Sequence, residues 1–171
     1  MPRTKLYWID RVKTPWRGRL AMAARPRGGD WLGDEMADWR GQGLDTVVSF
    51  LTQEEEQDLD VSAERAEAQA HGLTFLSFPI PDREVPVSLE EFSRLLTALD
   101  AELMVGKNVV MHCRQGIGRT GLAAACLLAS TGIDLETAIA RLSDARGVTV
   151  PETYEQRRWI EEYTASLAAS R

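Results

Sequence analysis

The sequence predicts an α/β fold, with a central mixed, mostly parallel sheet of about five strands and helices on both faces. Three observations support this prediction. Short β-branched or apolar runs, typical of strands, alternate with helical patterns through the first part of the chain. One of these runs, Val109–His112, leads through a glycine-bearing loop into the apolar run Leu122–Ala129. The pattern beyond it is helical, which indicates a single sheet covered by helices.

Five runs are predicted as strands: Leu6–Ile9, Arg19–Ala24, Thr46–Leu51, Leu73–Ile80 and Val109–His112. The signal is strongest in Thr46–Leu51, which is rich in β-branched and aromatic residues. Pro79, Pro81 and Pro86 predict an irregular loop after the fourth run. The acidic run Gln53–Asp60 is expected to be solvated.

Helical spacing accounts for most of the remaining chain. The first predicted helix is Asp34–Arg40, the second is capped by Ser62 and runs to about Ala70, and the third follows the capping box Ser88–Glu91 and ends at Gly106. The fourth is the apolar helix after the glycine-bearing loop. The last two run from Asp134 to about Arg146 and from near Pro151 to about Ala168. The apolar helix is expected to be central and buried.

The composition is that of one soluble globular domain, residues 1–171, and it excludes several classes of function. The net charge is −6 and no block of Lys and Arg stands out, so nucleic acid is not expected as a partner. No apolar run approaches the roughly 20 residues that cross a bilayer, and the N-terminus lacks the apolar stretch of a signal peptide. Two cysteines and two histidines suggest neither a disulfide framework nor a metal cluster. A cytoplasmic protein is therefore expected; its oligomeric state is left open.

The most informative feature is the loop that follows Val109–His112. It begins at Cys113, contains Gly116 and Gly118, and reaches Arg119 just before the apolar helix. Backbone N–H groups of such a loop converge on one point, and the positive end of the helix adds to them. This arrangement predicts a phosphate site that favours the thiolate form of Cys113 as a nucleophile. Arg119 can add a bidentate grip on two phosphate oxygens.

The segment from His112-Cys113 through five residues to Arg119-Thr120 resembles the signature loop of the cysteine-dependent protein tyrosine phosphatases. The upstream segment Pro-Ile-Pro-Asp82 is similar to the compact dual-specificity branch of that family. A wider stretch, from about Gly18 to Tyr163, resembles its kinase-associated phosphatase group. The resemblance implies a phosphotyrosine protein phosphatase-like fold and metal-independent hydrolysis without a cofactor. It also implies that the substrate is a phosphorylated protein or a small phosphate ester.

The same resemblance implies a role for each matching residue. Cys113 attacks phosphorus and forms a phosphocysteine, and Asp82 protonates the leaving oxygen. Thr120 donates a hydrogen bond to the sulfur, and His112 orders the loop and favours the thiolate. Arg119 and the loop N–H groups stabilise the equatorial oxygens. The implied phosphate-binding residues are Arg114, Gln115, Gly116, Ile117, Gly118 and Arg119.

Two side chains have a second interpretation. Asp82 can simply form a Pro-Asp turn, and the competing carboxylates are Glu84, Asp58, Asp60 and Asp100. Gln156, on the last helix, can be considered for orienting the hydrolytic water, but a solvent-facing glutamine is the favoured interpretation.

Three other functions are weighed against a protein phosphatase. A phosphoinositide or other small phosphate-ester phosphatase is weakly disfavoured, because Gln115 and Ile117 stand where phosphoinositide-directed relatives tend to carry lysines. An inactive phosphoprotein-binding module is disfavoured because the cysteine, the arginine and the aspartate are all present. The spacing Gly116-x-Gly118-x-x-Gly121 also fits a dinucleotide fingerprint. That fingerprint needs a second parallel strand after the helix, where this sequence predicts another helix.

Overall fold

A mixed five-stranded sheet forms the centre of the protein. The computed structural model describes residues 2–170. The strands are β1 (Tyr7–Trp8), β2 (Leu20–Ala23), β3 (Thr46–Ser49), β4 (Thr74–Ser77) and β5 (Val109–His112). They lie in the order β1-β2-β5-β3-β4, with β1 antiparallel to β2 and the other neighbours parallel. The predicted mostly parallel sheet is confirmed, and β5 is its central strand.

Seven α-helices surround this sheet within residues 2–170. They are α1 (Leu32–Gly41), α2 (Gln53–Asp58), α3 (Glu64–Ala70), α4 (Leu89–Met104), α5 (Gly118–Ser130), α6 (Leu135–Arg146) and α7 (Tyr154–Ala169). A short 3₁₀ turn, Gly29–Trp31, precedes α1. None of the helices in this part of the chain has both the length and the hydropathy to cross a membrane.

The helices form one layer on each face of the sheet. Side chains of a strand point alternately to the two faces, and β5 shows how they are shared. Val109 and Met111 belong to the core cluster that includes α4, α5, α6 and α7, whereas Val110 belongs to the cluster formed with α1 and α3. α5 is buried from Gly118 to Leu128, which confirms the expected central helix.

Two of the predicted helix caps are confirmed. The Ser88 side chain accepts a hydrogen bond from the N–H of Glu91 at 3.1 Å, and the Asp134 side chain accepts one from Thr137 at 2.9 Å. The cap predicted for α3 was wrong, because the residue before this helix is Ala63 and it makes no side-chain cap bond. Both observed caps satisfy N–H groups that have no partner within the helix.

Most of the run Gln53–Asp60 is exposed, as expected, but Glu55 within it is buried. Thr52 and Glu55 form a reciprocal capping box, with the Thr52 side chain bonded to the Glu55 N–H and the Glu55 carboxylate bonded to the Thr52 N–H. This box starts α2 and turns Glu55 away from water. The acidic run is therefore a short helix with one buried face.

The carboxyl ends of β2, β3, β4 and β5 meet at one edge of the sheet, because these four strands are parallel. The loops that leave β4 and β5 at this edge carry Asp82 and Cys113, respectively. The carboxyl edge of a parallel sheet is the usual place for ligand sites in α/β proteins. The sheet therefore brings together residues that are far apart in sequence.

Candidate active site

The loop between β5 and α5 encloses a small cup. Its lining residues are Asp82, Cys113, Arg114, Gln115, Gly118, Arg119 and Glu152. Cys113 is only 3% exposed. Within residues 2–170 the N–H groups of residues 114–119 donate no hydrogen bond to the protein. Backbone donors that lack a protein acceptor in a concave loop suit a bound oxyanion, so the cup has the donors that a phosphate group needs.

The shape of this loop depends on Gly116. Its φ is +73°, and a Cβ atom there would lie 2.4 Å from the carbonyl oxygen of Ala23. The loop therefore packs backbone to backbone against the end of β2, at a distance that no other residue allows. Two further contacts hold it: Arg25 N–H donates to the Arg114 carbonyl at 3.3 Å, and Arg146 Nη2 donates to the Gln115 carbonyl at 2.8 Å. Ile117 completes the turn as the residue before α5.

Arg119 is 1% exposed, and its guanidinium is held in one orientation. Nη1 and Nη2 donate to the two carboxylate oxygens of Glu55 at 2.6 and 2.9 Å. Nη1 also donates to the Ile80 carbonyl at 2.7 Å, and Nη2 to Asp82 Oδ1 at 3.0 Å. Within the described residues Nε makes no hydrogen bond. The fixed guanidinium thus keeps one N–H without a protein acceptor and shares another with Asp82.

The Arg119–Glu55 pair stays ionised despite its burial. Burial alone would lower the pKa of Arg119, but the hydrogen bonds to Glu55 and the nearby charges of Cys113, Glu55 and Asp82 outweigh it and raise that pKa. Burial alone would likewise raise the pKa of Glu55, yet the hydrogen bonds from Arg119 and Thr52 bring it below its ordinary value of 4.5. Sequence reasoning missed Glu55, although the spacing from Thr52 to Glu55 was a readable capping signal.

Asp82 is brought to the cup by a loop that is anchored at several points. Beyond the bond from Arg119, Arg83 pairs with Glu152 at 2.8 Å, and Gln156 Nε2 donates to the Glu84 carbonyl at 3.1 Å. None of the four competing carboxylates lines the cup: Asp58, Asp60, Glu84 and Asp100 all lie outside it. The structure therefore places the sequence-predicted acid beside the predicted nucleophile and the predicted arginine.

The expectation of a solvent-facing Gln156 was wrong, because this side chain is fully buried. Its Oε1 accepts hydrogen bonds from the N–H groups of Glu152 and Thr153 at 3.2 and 3.1 Å, while its Nε2 reaches the loop that carries Asp82. Gln156 is the third residue of α7 and the partner of Thr153 in a capping box. The local capping requirement turns it inward, where it ties the Asp82 loop to the start of α7.

The expected hydrogen bond from Thr120 to the sulfur is not formed. The Thr120 hydroxyl is buried and forms no hydrogen bond with any of residues 2–170, which include Cys113. Thr120 lies in the first turn of α5, and the helix backbone fixes where its side chain can reach.

His112 lies behind the cup and is completely buried. Its Nε2 is 2.6 Å from Glu64 Oε2, and its Nδ1 is 3.3 Å from the Cys113 carbonyl oxygen. The indole ring of Trp39 packs against the imidazole, with 6.1 Å between ring centroids. Sequence reasoning missed Glu64, which lies 48 positions upstream and has no local signal that links it to His112.

A cleft of about 490 Å³ lies beside the phosphate loop. Five basic residues and one acid are among the residues that line it: Arg3, Lys5, Arg25, Arg27, Arg146 and Asp60. Within residues 2–170, Lys5, Arg25 and Arg146 form no ion pair. The cations of Lys5 and Arg146 lie 5.0 and 4.4 Å from the centroid of one ring, that of Tyr7. The cleft is therefore a basic surface on a chain of net negative charge.

Comparison with known sequences agrees with this geometry. A family model described as "Polymorphic toxin system, DSP-PTPase phosphatase" matches residues 21–133, a range that contains Asp82, Cys113 and Arg119. Cyclin-dependent kinase inhibitor 3 of Rattus norvegicus is 30% identical over 132 residues, which are 76% of this chain and 62% of that protein. The Homo sapiens protein is 30% identical over 129 residues, 74% of this chain and 60% of that protein. The chain spans about three fifths of the length of these curated relatives.

Solved structures show the same fold. A kinase-associated phosphatase with serine in place of its catalytic-site cysteine superposes with a TM-score of 0.89 at 23% identity, covering 99% of this chain and 98% of that one. Tk-PTP in its active form superposes with a TM-score of 0.72 at 26% identity, covering 90% and 97% of the two chains. The phosphatase-like fold expected from the sequence is thus confirmed. The chain belongs to the dual-specificity protein tyrosine phosphatase family, and it is similar to the kinase-associated phosphatases within it.

Proposed function

We propose that this protein hydrolyses phosphomonoesters on protein side chains through a phosphocysteine intermediate, with phosphotyrosine as the first substrate and phosphoserine and phosphothreonine as further candidates. One observation carries the proposal. Cys113 lies in a cup ringed by unpaired N–H groups, and the guanidinium of Arg119 and the carboxyl group of Asp82 line the same cup, 3.0 Å apart. The three groups needed for nucleophilic attack, charge stabilisation and proton transfer are together.

Substrate binding follows from the unused donors. The phosphate oxygens accept hydrogen bonds from the N–H groups of residues 114–119 and from Nε of Arg119. Nη2 of Arg119 exchanges its bond to Asp82 for a bond to a phosphate oxygen. The Asp82 carboxyl group is then free to face the leaving oxygen.

The first chemical step transfers the phosphoryl group to sulfur. The Cys113 thiolate attacks phosphorus, the bond between phosphorus and the leaving oxygen breaks, and Asp82 gives its proton to that oxygen. In the second step Asp82, now a carboxylate, takes a proton from water as the water oxygen attacks phosphorus. The sulfur–phosphorus bond breaks and the thiolate is restored. The buried and unpaired hydroxyl of Thr120 is available to stabilise this thiolate.

The basic cleft bears on the substrate class. Lys5, Arg25 and Arg146 line this cleft, and Arg146 bonds to the phosphate loop through its guanidinium, whereas Arg25 does so through its backbone N–H. A phosphorylated side chain with acidic neighbours would place those neighbours against this charge. The substrate that we propose is therefore a phosphoprotein segment that carries at least one further negative group.

The same cleft makes a phosphoinositide the second candidate, because its extra phosphates would meet the same cations. PTPMT1, which shares this fold with a TM-score of 0.73 at 16% identity, has been crystallised with PI(5)P. Gln115 and Ile117 supply no charge within the loop itself, which favours the protein substrate. The two candidates are distinguished by measuring kcat/KM for a phosphopeptide panel and for a phosphoinositide panel with the same protein.

We propose further that residues 1–171 act as one phosphatase domain, since both core clusters share a single sheet. A nucleophilic thiol is functional only while it stays reduced. Cys113 and Cys126 are both free thiols in the structure. A reducing compartment such as the cytoplasm is consistent with this chemistry.

The proposal is tested with p-nitrophenyl phosphate in the presence of a metal chelator. Wild-type protein should turn over, and Cys113→Ser should lose at least about three orders of magnitude in rate, because its hydroxyl is not ionised at neutral pH. Cys126→Ala is the matched control, since Cys126 is buried within α5 and does not line the cup. Turnover that survives in Cys113→Ser, or that requires an added metal ion, contradicts the proposal.

A further inference from the structure

A buried carboxylate, Glu64, lies behind the phosphate loop and does not line the cup. It is the first residue of α3, and within residues 2–170 its side chain forms one hydrogen bond, to Nε2 of His112, the residue before the loop. From this contact we infer that Glu64 is a positioning residue for the nucleophile. By fixing which nitrogens of His112 carry hydrogen, it holds the Cys113 carbonyl and with it the sulfur. The inference rests on the proposed role of Cys113.

The hydrogen-bond partners of His112 decide where its hydrogens lie. Nδ1 faces the Cys113 carbonyl oxygen at 3.3 Å, and a carbonyl oxygen can only accept, so Nδ1 carries a hydrogen. Nε2 faces Glu64 at 2.6 Å, and one hydrogen lies between these two atoms. The pair is either imidazolium with carboxylate or neutral imidazole with carboxylic acid. In both arrangements Nδ1–H points at the Cys113 carbonyl.

Without the Glu64 carboxylate this arrangement is no longer required. A neutral imidazole carries a single hydrogen, which can then lie on Nε2. Nδ1 would in that case present a lone pair to the Cys113 carbonyl oxygen, and the contact would become repulsive. The Cys113 carbonyl lies at the point where the chain leaves β5, so its orientation sets the direction of the Cys113 side chain.

Packing alone does not explain why a carboxylate occupies the buried position of Glu64. Glu64 is 2% exposed, and its second oxygen, Oε1, is buried with no hydrogen-bond partner among residues 2–170. A carboxylate with an unsatisfied buried oxygen destabilises a fold relative to an apolar side chain of similar volume. Such a group is expected where its charge or its hydrogen bond has a use.

The other charged groups around His112 and Cys113 do not duplicate this contact. Glu56, on α2, interacts with His112 only through space. Its pKa is raised by burial first and by the charge of Glu64 second. Arg119, on α5, acts on Cys113 from the side of the cup. The neighbours of His112 on β2 and β3, Ala23 and Ser49, carry no charge, and Trp39 of α1 contributes only its ring.

The first experiment measures how the reactivity of Cys113 depends on pH. Iodoacetamide alkylates the thiolate, so the rate of Cys113 modification reports the thiolate fraction. In Glu64→Gln we expect the midpoint to rise by about 0.5 to 1 pH unit, which makes alkylation below the midpoint about threefold to tenfold slower. The acidic limb of kcat/KM for p-nitrophenyl phosphate should move by the same amount. A loss of packing alone would not move either midpoint.

The matched control is Glu67→Gln, one turn further along α3, where the side chain is 40% exposed and lies near His71 rather than His112. It removes the same charge from the same helix and should leave the midpoint where it is in the wild type. Glu64→Asp keeps the charge and should restore part of the shift. Thermal unfolding of each variant checks that it is folded before its midpoint is compared.

A second measurement needs no variant. The chain has only two histidines, His71 and His112, so ¹⁵N-labelled imidazole signals are readily assigned. In the wild type Nδ1 of His112 should carry a hydrogen, because it faces the Cys113 carbonyl oxygen. An Nδ1 without hydrogen, or a midpoint in folded Glu64→Gln equal to that of the wild type, overturns the inference. Neither result would rescue or refute the nucleophile itself, because that depends on turnover by Cys113→Ser.

Discussion

Arg119 and Glu55 form a two-point ion pair across 64 positions of sequence, with Nη1–Oε1 at 2.6 Å and Nη2–Oε2 at 2.9 Å. Two parallel hydrogen bonds fix the plane of a guanidinium as well as its position. The other hydrogen bonds of Arg119 go to Ile80 and Asp82, in the loop that follows β4, and at 3.4 Å to the Phe50 carbonyl, just after β3. One short helix, α2, therefore fixes the orientation of the Arg119 guanidinium in the cup.

Replacing Glu55 by glutamine should lower kcat/KM for p-nitrophenyl phosphate. The amide offers one acceptor and turns an N–H₂ group toward the guanidinium, so Arg119 loses its fixed plane. We expect a loss of about 10- to 100-fold, which is typical when a transition-state donor is misplaced rather than removed. Glu54→Gln, its exposed neighbour on α2, is the control and should retain activity. Equal activity in the two variants would contradict the positioning role of Glu55.

The same ion pair predicts a pH dependence of stability. The pKa of Glu55 in the folded state lies below its ordinary value of 4.5. Its contribution is therefore complete above that ordinary value and is lost as the pH falls through the lower folded value. Between about pH 5 and about pH 3, the free energy of unfolding should fall more steeply for the wild type than for Glu55→Gln. Urea unfolding at several pH values measures this, and parallel curves would contradict it.

Replacing Asp82 by asparagine should remove the proton donor while keeping the shape of the loop. With phosphotyrosine we expect kcat to fall by about 10²- to 10⁴-fold, the usual contribution of general acid catalysis. The fall in rate at high pH should disappear, since no acid remains to be deprotonated. An aryl phosphate with a more acidic phenol needs less help from an acid, so its rate should fall less.

The control for Asp82 is Asp100, which was a competing carboxylate and accepts a hydrogen bond from Trp16 Nε1 at 2.8 Å, outside the cup. Asp100→Asn should keep the pH profile of the wild type. If kcat of Asp82→Asn fell by the same factor with every leaving group, the role of Asp82 would be structural and the acid would have to lie elsewhere.

The basic cleft predicts a substrate preference. In the double variant Lys5→Gln/Arg25→Gln, KM for a phosphopeptide with acidic neighbours should rise about fivefold or more, with the effect weakening in high salt. Hydrolysis of p-nitrophenyl phosphate, which is too small to reach the cleft, should be unchanged. Lys13→Gln/Lys107→Gln removes the same charge from exposed positions outside the cleft. Equal KM values for the two double variants would show that net charge, and not the cleft, attracts the peptide.

The close packing of the phosphate loop can be tested with two glycines. Gly116→Ala adds a methyl group 2.4 Å from a backbone oxygen at a φ of +73°, so the loop must shift. We expect loss of phosphate binding, measured by calorimetry, and destabilisation of about 1–3 kcal/mol. Gly41→Ala meets nothing within 4 Å at the end of α1 and should be neutral or slightly stabilising. Phosphate binding by Gly116→Ala equal to the wild type would show that the loop tolerates a side chain.

Residues whose partners are close in sequence could be predicted. The sheet follows from five β-rich runs, and the phosphate loop follows from a strand, a cysteine and two glycines within a dozen positions. Ser88 and Asp134 were recognised as caps because a helix start is a local event. Asp82 was identified because the segment Pro-Ile-Pro-Asp82 resembles the upstream acid loop of the dual-specificity phosphatases.

Residues whose partners are distant in sequence could not be predicted. Glu55 stands in a run of acidic residues that is typical of a solvated surface, and only the fold brings Arg119 to it. Glu64 is equally hidden, because nothing in α3 indicates that His112 lies behind it. Gln156 was misjudged because its capping box with Thr153 was not recognised, and its bond to the Asp82 loop has no local signal. Each of these side chains supports a recognised catalytic candidate from another element.

The position of β5 in the middle of the sheet separates the proposed nucleophile from the recognition surface. Cys113 follows the strand that has neighbours on both sides, whereas Arg25 of the basic cleft follows β2, nearer the margin. Mutations that accumulate in the outer loops can therefore alter which molecules are accepted without disturbing the reacting sulfur. An evolving lineage could retarget this scaffold repeatedly while inheriting one unchanged reaction.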